Sequence, residues 1–238
     1  MGKEPVLTAA SRPQVVTLRS GDVVRLRQVR PGDGPALARA YANLGEQSRY
    51  RRFFTVMPEL PEATLKQAAE VDHEDHEALV AVPLLSPEIV GECRFVRWPD
   101  QPDTAELGVT VLDAWQGRGL GSALLARLSE RALEVGIGYF TAEVLAENRS
   151  MLALLAGLGP VETSSPGPVV TARVDIAEPL PPTTQDLLDL LIAAARGDIL
   201  IIPASLRWLI RVPEEFAHIV RLPVTALLKT LRLRSPAP

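Results

Sequence analysis

The chain has 238 residues, 47% of them hydrophobic, with 25 Lys and Arg against 29 Asp and Glu for a formal net charge of -4. This balance lacks the basic footprint of a nucleic-acid binder, the lone Cys93 excludes an internal disulfide, and no apolar run approaches the roughly 18 residues of a membrane span. No signal-peptide core opens the chain, so the expected setting is a reducing cytoplasm.

Residues 1–14 read as a flexible leader. Val15-Val16-Thr17-Leu18 and Val23-Val24-Arg25-Leu26 flank Ser20-Gly21-Asp22, the pattern of a hairpin leading into a first core strand. Pro31-Gly32-Asp33-Gly34-Pro35 breaks that strand, and Leu37, Tyr41 and Leu44 then share one helical face. A second short helix is expected over 46–54 and a third over 61–70, with Pro61 in its first turn, where a missing N–H does no harm. Strands follow at 78–82 and 89–96, an antiparallel pair around a loop holding Ser86-Pro87, and then at 104–111. A helix over 122–135 carries Leu124, Leu125, Leu128 and Leu133 and stops at Gly136. A strand at 139–145, a helix at 148–158 and a hairpin over 161–174 turning at Pro166-Gly167 complete the domain. The expected fold class is α/β, with a central mixed, mostly antiparallel sheet and helices on both faces. Residues 15–175 form this domain, 176–183 a proline-rich linker, and 184–238 a C-terminal helical extension. The extension interleaves Arg207, Arg211, Arg221, Lys229, Arg232 and Arg234 with Trp208, Leu209, Ile210, Leu227, Leu228 and Leu231. Such a mixture suits packing on its own domain, a homodimer contact, a cover over a cleft of that domain, or peripheral contact with an anionic membrane.

Between the strand at 104–111 and the helix at 122–135 stands Trp115-Gln116-Gly117-Arg118-Gly119-Leu120-Gly121-Ser122. Its glycines let the backbone approach a ligand closely, and the N–H groups opening the next helix point at whatever anion sits there. No lysine follows as a Walker loop requires. A dinucleotide fingerprint would need its third glycine where Ser122 stands, although Glu143, about 20 residues on, suits that reading. Too little chain remains beyond it to complete a doubly wound sheet.

Gln116-x-x-Gly119-x-Gly121 matches the Gln/Arg-x-x-Gly-x-Gly/Ala signature of the GCN5-related N-acetyltransferases (GNAT), and the domain resembles that family. Arg30-Pro31-Gly32-Asp33, Ser48-Arg49-Tyr50-Arg51-Arg52-Phe53-Phe54 and Val71-Asp72-His73 look like the bacterial Pat-type protein lysine acetyltransferases in particular. The resemblance implies a GNAT fold and acetyl-CoA as cosubstrate, with no metal. It places the coenzyme diphosphate on the turn residues Gln116, Gly117, Arg118, Gly119, Leu120, Gly121 and Ser122. The pantetheine would run along Val109 and Val111 and touch Asn148, which is also a good N-cap in its own right. Val111 N–H is the expected oxyanion donor and Glu106 the expected general base. Strand alternation sends Glu106, Gly108 and Thr110 to one face, so that the carboxylate stands beside small residues with room for a substrate. The implied reaction is direct attack by a protein lysine ε-amine in a ternary complex. A small-molecule amine acceptor is the alternative within enzymes, and an acyl-CoA-binding regulatory module the alternative outside them.

Leu155 stands where many family members carry a tyrosine that protonates the departing thiolate, and Gly159-Pro160 replaces the usual Gly-Phe. His73-Glu74-Asp75-His76-Glu77 lacks the spacing of a zinc-binding helix and reads as a solvated acidic loop beside the acceptor cleft. Arg49, Arg51 and Arg52 read as a solvated helix face, with binding of the coenzyme 3′-phosphate as the alternative, and Cys93 as a core thiol.

Overall fold

Alternation governs the first hairpin: Val24 and Leu26 turn inward while Arg25 between them faces solvent. The computed structural model describes residues 12–54, 60–164 and 167–177. Strands β1 (Gln14–Thr17), β2 (Val23–Gln28), β3 (His76–Pro83), β4 (Gly91–Trp98), β5 (Gln101–Val111), β6 (Tyr139–Leu145), β7 (Val161–Ser164) and β8 (Val169–Asp175) form one sheet in the order β1-β2-β3-β4-β5-β6-β8-β7. Every neighbouring pair is antiparallel except β5 and β6, which run parallel. β3 lies mid-sheet and is buried on both faces from Glu77 to Ala81, which is why it shows a continuous apolar run rather than alternation.

Helices α1 (Gly34–Ala42), α2 (Glu46–Phe53), α3 (Glu62–Ala69), α4 (Leu120–Glu134) and α5 (Arg149–Ala156) complete the domain. Leu120, Leu124, Leu125 and Leu128 of α4 pack with Leu26, Leu79, Phe95, Leu107 and Phe140 in one core. Leu37 and Tyr41 of α1 and Ala68 and Ala69 of α3 pack with Ala78 and Val80 in a second. Both faces are therefore covered, as the sequence pattern predicts. Each fully buried leucine contributes roughly 1.5–3 kcal/mol, so the four-leucine stripe of α4 is a main fastening of the domain.

Several boundaries shift, three of them for clear local reasons. β5 begins at Gln101 because its hairpin with β4 is tight, Trp98 pairing with Gln101. α4 begins at Leu120 because Gly119, at φ 90°, forms its N-cap. Pro61 precedes α3 as N-cap instead of entering its first turn. β7 starts at Val161 directly after Gly159-Pro160. Ile176, assigned to the linker from sequence, is 6% exposed, and its N–H donates to Gly138 O at 2.9 Å. The chain divides into two units, Met1–Glu178 and Pro179–Pro238. The leader up to residue 11, Pro166 and the C-terminal extension lie outside the described residues.

The 73–77 stretch departs from its sequence reading. Glu77 is fully buried, accepting from Gln28 Nε2 at 2.8 Å, Arg131 Nε at 3.0 Å and Ala78 N–H at 2.9 Å, with His73 Nδ1 at 2.7 Å. Arg131 also donates to His73 O at 2.6 Å, so the carboxylate ties α4 to β3 and to the loop before it. Asp72 Oδ1 accepts N–H bonds from Glu74, Asp75 and His76, and His73 adopts φ 61° within that turn.

Burial alone would raise the Glu77 carboxyl, but hydrogen bonds from His73 and Gln28 and the Arg131 contact outweigh it and hold the group below its ordinary value of 4.5. A carboxylate with a depressed folded value stabilises the domain fully above its unfolded value and loses that contribution as pH falls through the folded one. The Glu77 contribution to the urea midpoint should therefore be complete above the unfolded value and fall progressively on the acid side. Glu77→Gln should narrow its gap from the wild type in that same acid range.

Candidate active site

β5 and β6 pair only from Thr104 to Glu106 against Tyr139 to Thr141, and beyond that rung the two strands part. Backbone directions fix what faces the opening. Asp103 O accepts from Gly138 N–H and Ala105 O from Thr141 Oγ1 on the β6 side, whereas Leu112 N–H donates to Val90 O on the β4 side. Successive peptide groups of an extended strand point to opposite edges, so the N–H groups of Val109 and Val111 face the gap that β6 has left.

A cavity of about 350 Å³ fills this gap. Val109, Thr110 and Val111 line one wall, Glu143 and Val144 another, and Asn148, Met151 and Leu154 a third. Its end is closed by Gln116, Gly117, Gly119, Leu120, Gly121 and Ser122. Gly117 and Gly119 sit at φ 72° and 90°, where a side chain would be strained, and no side chain caps the N-terminus of α4. The first helical N–H groups are thus left for an anion, and the helix dipole adds positive potential at the same place. Asn148 caps α5, its Oδ1 accepting from Met151 N–H at 3.3 Å, and lines the cavity as well.

Two turn residues brace the turn with their side chains. Gln116 Nε2 lies 3.1 Å from Val111 O, 3.1 Å from Ser48 Oγ and 2.9 Å from Asp113 Oδ1, stapling the turn to the end of β5 and to α2. Arg118 turns its side chain away from the cavity, pairing with Asp22 at 2.7 Å and lying 5.1 Å from the Trp115 ring. Its carbonyl accepts Arg19 N–H at 3.1 Å, and Arg19 itself lines the cavity. No sequence signal marked Arg19, a loop residue brought there by the first hairpin. Arg51 and Arg52 also line the cavity, a correction to their reading as a solvated face. The cause is that α2 lies across the opening.

Glu106 is exposed and stands on the last rung before the strands part, just outside the cavity lining. Val96, its partner on β4, is 44% exposed, and Trp98 is 43% exposed with its indole N–H donating to Thr141 Oγ1 at 3.0 Å. A carboxylate thus stands on an open, partly apolar platform at the apex of the cleft. Leu155 is fully buried, while its neighbour Leu154 meets the cavity.

Residues 43–159 match the family model of the acetyltransferase (GNAT) family. A solved GNAT domain of Pat from S. lividans is 31% identical, with a TM-score of 0.63, covering 68% of this chain and 96% of that one. The chain belongs to the GNAT family. Its mixed sheet is the GNAT fold. The acetyltransferase Pat of Mycolicibacterium smegmatis is 34% identical over 170 residues, 71% of this chain and 51% of the relative, so the chain spans about half the length of that curated protein. yncA of Salmonella typhimurium, solved with its cofactor acetyl-CoA, shares the fold at 19% identity and a TM-score of 0.55, covering 68% of this chain and 98% of that one.

Proposed function

We propose that this GNAT acetyltransferase transfers acetyl from acetyl-CoA to a lysine ε-amine of a protein, by direct attack in a ternary complex. The observation that carries the reading is the open platform around Glu106: exposed Val96 and Trp98 beside a carboxylate suit a polypeptide surface better than an enclosed pocket for a small amine. The residues of the cleft fit the cosubstrate. Uncapped N–H groups of α4, two glycines in left-handed backbone, and Arg19 and Arg51 are what a diphosphate requires, and the wall from Val109 to Val111 presents peptide groups to an amide-bearing arm. Acetyl-CoA, when bound, supplies a thioester carbonyl as electrophile.

A lysine ammonium has no lone pair, and freeing it at pH 7 costs about 4.6 kcal/mol. Glu106 takes that proton, directly or through one water, as the amine nitrogen forms its bond to the carbonyl carbon. Val111 N–H, facing the gap, donates to the oxygen on which negative charge develops. Water protonates the departing thiolate, since Leu155 offers no acid. No step calls for a metal, and the buried free thiol of Cys93 accords with a cytoplasmic setting.

The test is acetyl-lysine detection by mass spectrometry after incubating wild type or Glu106→Gln with acetyl-CoA and a dialysed bacterial lysate. Site-selective acetylation lost in the variant is the expected result. Free polyamines or amino acids acetylated faster than any protein would move the assignment to small amines, and coenzyme binding with no acceptor at all would move it to a regulatory module. The turn gives a second check. Gly119→Ala forces a side chain to φ 90° with its Cβ 3.4 Å from Arg19 Cγ, and calorimetry should show coenzyme A binding weakened about tenfold.

A further inference from the structure

The room that strand alternation opens beside Glu106 is filled by an arginine. A Cβ built on Gly108 would lie 2.6 Å from Arg52 Nη2 and 2.9 Å from its Cζ, so the guanidinium rests directly on the β5 backbone. It arrives from the last turn of α2 and lies 5.4 Å from the Phe53 ring centroid. Gly108 belongs to the Glu106 face of the strand, two residues away, or about 7 Å.

Two groups on this face lack acceptors. Arg52 Nε is buried without a hydrogen-bond partner, and among the described residues its guanidinium makes no ion pair. Thr110 Oγ1, next along the same face, is likewise buried and unpartnered. The carboxylate across the sheet from Thr110 is Glu92, but it is consumed by Arg94 Nε at 2.5 Å and the Tyr41 hydroxyl at 3.1 Å. A buried donor without an acceptor is costly, and a guanidinium fork suits a carboxylate above other partners. The diphosphate end of the cleft is at Gly117 to Ser122, on the far side of Val109 and Val111, so Arg52 stands at the reacting end.

We propose that Arg52 reads a carboxylate on the acceptor, selecting amines that carry one. In a protein acceptor this is a lysine with a neighbouring Asp or Glu. Glu106 takes the ammonium proton, Arg52 holds the anion, and the two opposite charges on one strand face set the direction in which the acceptor lies. The inference rests on the amine-acetylation reading above and deepens it.

The experiment measures kcat/KM for thiol release with paired acceptors that differ only in the carboxylate: lysine peptides flanked by Glu or by Gln, and free lysine against cadaverine. Wild type should favour the carboxylate-bearing member by about tenfold or more. Arg52→Gln should bring that ratio to near one, chiefly through KM, and Arg52→Glu should invert it. Arg52→Lys, which keeps the charge but not the fork, should retain part of the preference and serves if the other variants fail to fold. A wild-type ratio near one, or a ratio unchanged in Arg52→Gln, overturns the inference while leaving lysine acetylation intact. Inert peptides combined with an Arg52-dependent preference for lysine over cadaverine support Arg52 and overturn the protein-acceptor reading. Background thiol release with every amine overturns both.

Discussion

Glu106→Gln is expected to lower kcat/KM for amine acetylation by about 10²- to 10⁴-fold, the usual range for loss of a positioned base. Its melting temperature should stay at the wild-type value, because the side chain is exposed and makes no ion pair among the described residues, and such surface substitutions stay within about 0.5 kcal/mol. Raising pH separates the base role from a binding role. Below the lysine pKa each added unit raises the free-amine fraction about tenfold, so a variant lacking only its base should recover rate with pH more steeply than the wild type. A parallel pH profile for both proteins, or a loss carried wholly by KM, would remove Glu106 from proton transfer.

Glu77→Ala carries the largest expected loss of stability. The substitution leaves Arg131, only 7% exposed, without its buried carboxylate and orphans the Gln28 amide and the Ala78 N–H. Breaking one side of a buried pair costs about 3–5 kcal/mol, a large part of the roughly 5–15 kcal/mol that holds an ordinary domain together. Urea unfolding reads the effect directly. Replacing both partners, Glu77→Leu with Arg131→Met, should recover much of it, since apolar substitutes for a buried pair are often neutral. A double variant as unstable as Glu77→Ala would mean that the carboxylate acts through the Asp72 to His76 turn and not through its arginine.

What was legible in the sequence follows a physical line. Strand and helix periodicity is a property of single segments, so the β1-β2 hairpin, β6 and α4 with Leu124, Leu125 and Leu128 could be read from residues alone, whereas Leu133, expected on the same face, is exposed and Leu120 takes its place in the core. The glycine turn was legible too, because Gly119 is dictated by a left-handed backbone and not by a neighbour. Charged side chains were read least well. Arg51 and Arg52 face a cleft because α2 lies across the diverging strands, Arg118 turns away because Asp22 waits on the first hairpin, and Glu77 is buried because Arg131 reaches it from 54 residues away in sequence. Each outcome depends on a partner distant in the chain, and no local pattern encodes it. The role proposed for Glu106 came from family likeness, while its setting on an exposed Val96 and Trp98 platform needed the register of β4 against β5.

The fate of Cys93 has a practical side. It is the chain's single cysteine, fully buried, its Sγ 3.5 Å from Leu124 O, and burial, with the charges of Glu92 and Glu77, pushes its thiol well up. A sulfhydryl both hidden and protonated is nearly inert to maleimides in the folded state. The molecule can therefore be tagged with a fluorophore at one chosen surface cysteine, such as one at the 57% exposed Val15, without first removing its own. Modification of Cys93 itself becomes a clock for global opening of the domain.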